Sequence, residues 1–255
     1  MGQEIQRTGG GYKKVLVLAI DTSSNTASAA VADEHKVICE YNLNHKKTHS
    51  QRLMPMVKEI MEDSEVNIKD IDLFAVAMGP GSFTGLRIGV ATAKALAHCM
   101  SKPVLGIYTL DGLACNGAGF DGIICPIMDA RRQQVYTGIY SWSEDGPRLE
   151  GEYMALPVKD LTRLLKDKGQ RVLMVGDGVP VYREDIVSEL GDAVSFAPPN
   201  LLFQRASSIA WLAVKEFKRG KVHNAMTLTP FYLRKSQAER ELEKRRALRG
   251  DCSGV

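Results

Sequence analysis

The sequence has 255 residues, of which 44% are hydrophobic and 25% charged, an ordinary composition for one large globular domain or two small ones. The formal net charge of +3 is too small to indicate that the whole molecule binds nucleic acid. The five cysteines show no C-x-x-C spacing, which argues against a zinc ribbon and against a disulfide framework. Reduced thiols, and apolar runs too short to cross a bilayer, predict a cytoplasmic protein.

The N-terminal part of the chain predicts a flexible leader followed by three strands in meander order. Residues 1–13 have no apolar core, so we interpret them as a leader rather than a signal peptide. Residues 15–20 form a continuous apolar run, which is typical of a strand covered on both faces. Two further strands are predicted at 27–32 and 37–43, with a polar hairpin between them.

The stretch 76–97 is the most informative part of the sequence. It predicts a buried strand, a glycine-rich turn and a long helix that begins within 82–85. Three glycines and a proline permit a tight turn with close backbone approach, and a serine or threonine can cap the helix. Before it, residues 50–63 predict an amphipathic helix and 71–78 a strand.

The glycine turn matches neither common phosphate-binding motif. It lacks the Lys-Ser/Thr pair of a P-loop, and its third glycine comes one residue late for the dinucleotide fingerprint. Free amides at a helix start can still hold an anion, so contact with a ligand or a partner stays open. The alternative is a packing turn in which Gly85 and Gly89 let two helices touch. The turn residues that we consider for nucleotide or anion contact are Gly79, Gly81, Ser82 and Thr84.

The second half of the chain repeats the pattern of the first. Its predicted elements are strands at 104–108, 122–129, 135–140 and 172–175, and helices at 158–168 and 206–218. This repetition predicts a duplicated α/β unit with mixed sheets and a boundary near residue 103. In each half a buried strand ends in a carboxylate, Asp21 and Asp129, where α/β folds usually build their sites.

Six ordered blocks between about residues 14 and 236 carry a resemblance to a known family. They read AIDTSSNTASAAV, THSQRLMPMV, AVAMGPGSFTGLRIGVATAKALA, PVLGIYTLDGLA, IMDARRQQVY and TPFYLR. On these blocks the sequence resembles the TsaB (YeaZ) family of bacterial tRNA threonylcarbamoyladenosine biosynthesis proteins, paralogues of TsaD in the glycoprotease-like group. The glycine block is the most specific of the six.

The resemblance implies an α/β fold of two ribonuclease H-like lobes, the actin/sugar-kinase/heat-shock-protein (ASKHA) fold. We expect an N-terminal lobe over 14–103 and a second, degenerate lobe over 104–205. A C-terminal helix and strand over 206–234 are expected to pack back on the lobes. Residues 235–255 form a charged tail, interpreted as a solvated terminal helix, with a basic contact to RNA as the alternative.

The resemblance also implies a supporting role rather than a reaction of this chain's own. Members of the family form a heterodimer with TsaD, can form homodimers, and work with the ATPase TsaE. Together they transfer threonylcarbamoyl to N6 of adenosine 37 in tRNAs that read codons starting with A. This implies no catalytic residues, tRNA as a partner through the complex, and no membrane. It also implies no cofactor bound by this chain alone, with ATP or ADP possible at the partner interface.

The sequence argues against a bound metal. The TsaD pattern has a His-x-x-x-His pair whose two positions fall on Thr109 and Leu113 here, and leucine cannot ligate iron or zinc. Another such pair, His45 and His49, has two lysines between its members, and these cations disfavour a divalent ion.

The turn after the first strand is the second candidate for nucleotide contact. Asp21, Thr22 and Ser23 match the place where nucleotide-binding members of this fold hold phosphate or its magnesium. The alternative is that these side chains only close the turn by hydrogen bonds to the backbone. Similarly, Arg131 and Arg132 belong either to a hydrogen-bonded hairpin turn or to a patch that faces RNA or a partner.

The helices at 50–63 and 86–100 are the predicted partner interface, because they carry more methionines than one core stripe needs. The resemblance pairs them with their counterparts in TsaD, or in a second copy, as a four-helix bundle. A charge at Met54 or Ala93 should therefore abolish the complex and leave the fold intact. The predicted interface residues are Leu53, Met54, Val57, Met61, Arg87, Ala93 and Leu96.

Two other functions are compatible with the sequence. A metal-dependent peptidase has no His-Glu-x-x-His motif to support it. A solo ATPase or small-molecule kinase on the same fold is favoured by Asp21 and by the 176–178 turn, and is opposed by the missing set of phosphate donors.

Overall fold

The computed structural model describes residues 14–44 and 49–234, which form two lobes, each built on a mixed sheet. In the first sheet the strand order is β3-β2-β1-β4-β5, with β1, β4 and β5 parallel and β2 antiparallel to both its neighbours. The elements of this lobe are β1 (Val17–Asp21), β2 (Thr26–Ala32), β3 (Val37–Asn44), α1 (His49–Asp63), β4 (Leu73–Gly79), α2 (Phe83–Met100), β5 (Val104–Tyr108) and α3 (Thr109–Ala114).

The first sheet is covered on both faces, as its continuous apolar strands predict. Side chains alternate along β1, so Leu18 and Ile20 pack with α1 and α2, whereas Val17 and Ala19 face the opposite side. A later helix, α6 (Ala206–Lys218), covers that opposite side. The first lobe is therefore a three-layer unit whose second helical layer comes from the end of the chain.

The second sheet repeats the arrangement of the first. Its strand order is β10-β7-β6-β11-β12, with β6, β11 and β12 parallel and β7 antiparallel to both its neighbours; β8 pairs with β6 and with β9. The same order in both sheets confirms the expected duplicated unit. Its elements are β6 (Ile123–Asp129), β7 (Gln134–Thr137), β8 (Tyr140–Ser143), β9 (Gly146–Leu149), β10 (Met154–Pro157), α4 (Val158–Lys168), β11 (Val172–Val175), α5 (Val179–Leu190) and β12 (Val194–Phe196).

The predicted division of the chain after residue 103 needs correction. Strand β5 pairs in parallel with β4 and completes the first sheet, so the second sheet begins only at β6. The expected strand after α6 is also wrong for the described residues. That segment contacts the first lobe through an isolated bridge between Val104 and His223 and through single hydrogen bonds, and Pro230 has no N–H to continue a ladder.

Two further differences concern the second lobe. The predicted strand at 135–140 is divided into β7 and β8, and the β8–β9 hairpin and α5 were not predicted. None of the described helices is long and apolar enough to cross a membrane. The predicted leader, the charged tail and His45 lie outside the described residues.

Candidate functional site

The turn after β1 is built around a buried carboxylate. Asp21 is 1% exposed, and its Oδ1 accepts hydrogen bonds from the main-chain N–H of Ser23 at 2.8 Å and from the Ser23 hydroxyl at 2.6 Å. Burial raises the pKa of Asp21 to about 6, and the two Ser23 hydrogen bonds oppose that rise. Asp21 and Ser23 therefore close the turn, as the structural interpretation of these residues predicts.

The same turn is locked against the start of α2. The Thr22 hydroxyl donates to the Gly85 carbonyl oxygen at 2.7 Å, and the Ser82 N–H donates to the Ser23 carbonyl oxygen, also at 2.7 Å. At the start of α1, His49 Nε2 donates to the Ser24 carbonyl oxygen at 2.7 Å. These three donors are thus engaged within the chain and are not free for a phosphate.

The glycines of the turn allow main-chain oxygens of the β1 turn to approach closely. A Cβ at Gly81 would overlap the Ser23 carbonyl oxygen, and one at Gly85 would overlap the Thr22 carbonyl oxygen. The structure thus supports a packing turn, but its partner is the β1 turn and not a second helix. Sequence alone does not show this contact, because it joins residues about sixty positions apart.

The opposite side of the glycine turn is covered by the C-terminal strap, which we define as residues 224–234. The Phe231 N–H donates to the Met78 carbonyl oxygen at 2.7 Å, and a Cβ at Gly79 would overlap the Phe231 carbonyl oxygen. Farther along, an Arg234 guanidinium nitrogen donates to the Ala130 carbonyl oxygen of the second lobe at 3.2 Å. The strap therefore joins the glycine turn to the β6–β7 hairpin.

Only the tip of the glycine turn is open to solvent. Ser82 is the N-cap of α2, and its hydroxyl accepts a hydrogen bond from the Gly85 N–H at 3.3 Å. Ser82 and Thr84 are exposed, whereas Gly79 is buried and Gly81 is half-buried. Of the four turn residues predicted for anion contact, only Ser82 and Thr84 are therefore well exposed to solvent.

One carboxylate of the second lobe, Asp177, lies near enough to Asp21 and to Asp129 to interact with both electrostatically. Burial raises the pKa of Asp177 to about 6, and the negative charges of Asp129 and Asp21 raise it further. Gln204 connects the lobes here, because its amide accepts from the Ser24 hydroxyl at 3.0 Å and donates to Asp177 Oδ1 at 3.3 Å. Sequence reasoning missed Gln204, which no local motif distinguishes. Within the described ranges, no group of three potential metal ligands comes together.

The β6–β7 hairpin carries the two arginines that the sequence singled out. Asp129 Oδ1 accepts from the Arg131 N–H and from the Tyr182 hydroxyl, each at 2.8 Å. Arg131, Arg132 and the next residue, Gln133, all have left-handed backbone angles, with φ of 63°, 55° and 57°. The hydrogen-bonded hairpin turn is therefore present, and both arginine side chains are exposed on it.

The two positions where TsaD has its histidine pair are enclosed in this chain. Thr109 is fully buried at the start of α3, and Leu113 lies one turn later in the core between the lobes. A buried threonine followed one turn later by a leucine does not supply the pair of ligands that a transition metal needs.

The predicted interface on α1 and α2 requires a correction at three residues. Leu53, Val57 and Ala93 are 1%, 2% and 0% exposed, because they pack in the core between these helices and the first sheet. They stabilise the lobe and offer no surface to a partner. Among the other predicted residues, Met54 is 49% exposed, Arg87 is exposed, and Met61 and Leu96 are half-buried.

The strap borders this surface on one side. The Tyr232 ring stacks on Phe83 with centroids 4.5 Å apart, and Arg87 Nε donates to the Tyr232 hydroxyl at 3.1 Å. Lys94 Nζ donates to the Leu228 carbonyl oxygen at 2.9 Å. We call the remaining accessible surface of the two helices the α1–α2 face; it contains Met54, Met61, Ala91, Ala95 and Leu96.

Comparison with known proteins identifies the family. The TsaB proteins of Bacillus subtilis and Escherichia coli, both named tRNA threonylcarbamoyladenosine biosynthesis proteins, are 39% and 31% identical to the chain. The alignments cover 88% and 89% of this chain and 96% and 97% of those proteins. The chain belongs to the TsaB family. Residues 36–242 also match the family described as TsaD, tRNA N6-adenosine threonylcarbamoyltransferase.

Solved structures of TsaB relatives and of more distant proteins share the fold. YeaZ from Pseudomonas aeruginosa superposes with a TM-score of 0.71 at 28% identity, covering 86% of this chain and 99% of that one. The activator of 2-hydroxyisocaproyl-CoA dehydratase from Clostridium difficile, solved with bound ADPNP, gives a TM-score of 0.53 at 11% identity, covering 80% and 96%. The two repeated sheets and these neighbours establish the two-lobed ASKHA fold.

Proposed function

We propose that this TsaB-family chain is a non-catalytic subunit in the synthesis of threonylcarbamoyladenosine at position 37 of tRNAs that read codons starting with A. In this proposal it acts by forming a heterodimer with TsaD, and the pair works with TsaE. The observation that carries the proposal is the replacement of the TsaD histidine pair by buried Thr109 and Leu113. The chain keeps the fold of the transferase and lacks the side chains that would hold its metal.

The α1–α2 face is the surface that we assign to TsaD. Met54 stands out from α1, and the small side chains of Ala91 and Ala95 on α2 let another helix approach closely. The flexible methionine side chain adapts to different partner surfaces, which suits a face that can bind either TsaD or a second copy of this chain. The buried Leu53, Val57 and Ala93 fix both helices to the first sheet, so the face is preorganised. A homodimer through the same face is the arrangement that we expect when TsaD is absent.

In this proposal the binding site for a nucleotide lies at the interface with TsaD, and the isolated chain does not bind one. The Thr22 and Ser23 hydroxyls and the Ser82 N–H are engaged within the chain, and Asp21 has no cationic partner among the described residues. Ser82 and Thr84 keep the only accessible hydroxyls of the turn. They alone provide too few donors for a triphosphate, so TsaD would supply the others.

Reconstitution tests the proposed role. Unmodified tRNA is incubated with TsaD and TsaE of the same organism, ATP and threonylcarbamoyl adenylate, with or without this chain, and the modified nucleoside is measured by mass spectrometry. We expect sustained modification only when this chain is present, and none from this chain alone. Equal product without the chain would contradict the proposal. Tight ATP binding by the isolated chain, lost in Asp21→Ala, would favour the solo ATPase instead.

A further inference from the structure

A cleft of about 650 Å³ lies between the edge strand β5, the β8–β9 hairpin and the C-terminal half of α6. None of its lining residues belongs to the Asp21 turn, the glycine turn or the α1–α2 face. The proposed association with TsaD therefore gives this cleft no role.

The floor of the cleft is formed by a carboxylate, Asp111, whose hydrogen-bond partners are two uncharged tyrosine hydroxyls. Asp111 of α3 lines the cleft, and its Oδ1 accepts from the Tyr140 hydroxyl at 2.7 Å and from the Tyr153 hydroxyl at 2.9 Å. No donor in the described part of the chain is hydrogen-bonded to Oδ2, and no described cation forms an ion pair with this carboxylate. Burial raises the pKa of Asp111, and the nearby negative charge of Glu216 raises it further.

The walls of the cleft combine aromatic and apolar surface. The rings of Tyr108 and Tyr153 lie with their centroids 4.7 Å apart beside Asp111. Leu105 and Leu212 add aliphatic surface from β5 and α6. Aromatic rings attract cations through their faces, and aliphatic walls accept a hydrocarbon stem.

The basic residues at the rim are paired with acidic neighbours. Lys215 lies 4.0 Å from Asp145, Arg219 lies 3.5 Å from the same carboxylate, and Lys221 pairs with Glu216. Arg219 also pairs with Glu216 at 2.8 Å, and Arg148 lies 3.8 Å from Glu150, so each of these cations has a carboxylate neighbour. The rim shapes the entrance, and among the described lining residues Asp111, on the floor, is the carboxylate that has no cationic partner.

We propose that this cleft binds a small molecule that carries a primary ammonium group on an apolar stem. The ammonium group would donate to Asp111 Oδ2 and supply the positive charge that the protein does not provide. The tyrosine rings, Tyr108 and Tyr153, would contact one side of the stem. The side chains of Leu105 and Leu212 would contact the other side. An anion of the same size would instead meet the negative charge of Asp111.

The test is a titration of the full chain, labelled with ¹⁵N, with n-pentylammonium chloride and separately with 1-pentanol, followed by NMR. We expect saturable shifts at the amides of 105–108 and 212–216, with a dissociation constant on the order of 1–10 mM for so small a ligand. In Asp111→Asn, which keeps an acceptor for both tyrosines and removes the charge, we expect ammonium binding to weaken about tenfold and pentanol binding to stay unchanged. Asp167→Asn, an exposed change on α4, is the matched control.

Several results would overturn this proposal. They are ammonium binding that is unchanged in Asp111→Asn, pentanol binding as tight as ammonium binding, or the absence of saturable shifts. Should Asp111→Asn fail to fold, the comparison of the two probes on the unmodified chain still decides between charge recognition and simple apolar binding. A lysine side chain presents the same group, so Nα-acetyl-lysine N-methylamide is titrated in parallel. Tighter binding of this peptide mimic would contradict a free small molecule as the ligand.

Discussion

The main-chain N–H of Ser82 donates a 2.7 Å hydrogen bond to the carbonyl oxygen of Ser23, which joins the glycine turn to the turn after β1. The Thr22 hydroxyl adds a second bond to the Gly85 carbonyl oxygen. Since the strap covers the opposite side of the glycine turn, three segments distant in sequence form one packed unit. The glycine-rich block thus forms a structural junction between these segments.

Replacing Gly85 by alanine should destabilise this junction. The new Cβ would overlap the Thr22 carbonyl oxygen, which is main chain and cannot rotate away, so we expect a loss of about 2–3 kcal/mol in the free energy of unfolding. Urea denaturation measures the change. Thr84→Ala, at an exposed position of the same turn, should stay within about 0.5 kcal/mol of the unmodified chain. Equal stability of both variants would contradict the packing account.

Replacing Gly79 by alanine should release the strap. The added Cβ would overlap the Phe231 carbonyl oxygen, so the hydrogen bond from the Phe231 N–H to Met78 should open more often. Hydrogen exchange of the Phe231 amide is expected to accelerate at least about tenfold, which corresponds to roughly 1.4 kcal/mol. Gly119→Ala is the control, because Gly119 also has a positive φ but has open space at its Cβ. Unchanged exchange in Gly79→Ala would show that the strap does not depend on this contact.

Asp21→Asn should make the protein more stable at neutral pH. The folded-state pKa of about 6 lies above the ordinary 3.8, so the ionised carboxylate is disfavoured in the folded state. Its destabilising effect is complete above pH 6 and disappears as the pH falls toward 3.8. Asparagine keeps an acceptor for Ser23 without the charge, so we expect a gain of roughly 2 kcal/mol at pH 8.

The stability difference between Asp21→Asn and the unmodified chain should therefore shrink between pH 7 and pH 4. Urea denaturation at several pH values measures it. Asp121→Asn, at an exposed position, is expected to change stability by less than about 0.5 kcal/mol throughout. A variant that is less stable than the unmodified chain at pH 8 would mean that the Asp21 charge supports the fold, contrary to this account.

Ala93→Glu should unfold the first lobe rather than act at an interface. Ala93 is fully buried between α2 and the first sheet, so a glutamate there would be both oversized and unpaired. We expect a loss of more than about 4 kcal/mol, visible as loss of the cooperative thermal transition. Ala95→Glu, two residues later and exposed, should melt like the unmodified chain. A well-folded Ala93→Glu protein would restore Ala93 as a candidate for the surface.

The sequence predicted those elements whose signals are local. Helices α4 and α6 have the predicted bounds because each has a clear apolar periodicity and ends at or near a glycine. Helix α5 was missed because its apolar stripe is narrow, with only Val179, Tyr182, Ile186 and Leu190 buried. Pro180 also suggests a break, although proline is well tolerated in the first turn of a helix.

The candidate site was predicted less well because its contacts are long-range. The bond between Ser24 and Gln204 joins residues 180 positions apart, and no local pattern marks either as a partner of the other. The interface prediction included Leu53, Val57 and Ala93 because apolar spacing identifies a buried helix face without saying what buries it. In this chain the first sheet covers them, and only their neighbours remain for a partner.

Binding of TsaD to the α1–α2 face can be tested by comparing variants of the two lobes. The chain and two variants, Met54→Glu and Val187→Glu, are each co-expressed with TsaD of the same organism and analysed by size-exclusion chromatography with light scattering. Both variants place a glutamate at an exposed apolar position, the first on α1 and the second on α5 of the other lobe. We predict a one-to-one complex for the unmodified chain and for Val187→Glu, and loss of that complex for Met54→Glu with its melting temperature unchanged. A one-to-one complex that survives Met54→Glu, or no complex for the unmodified chain, would contradict the account.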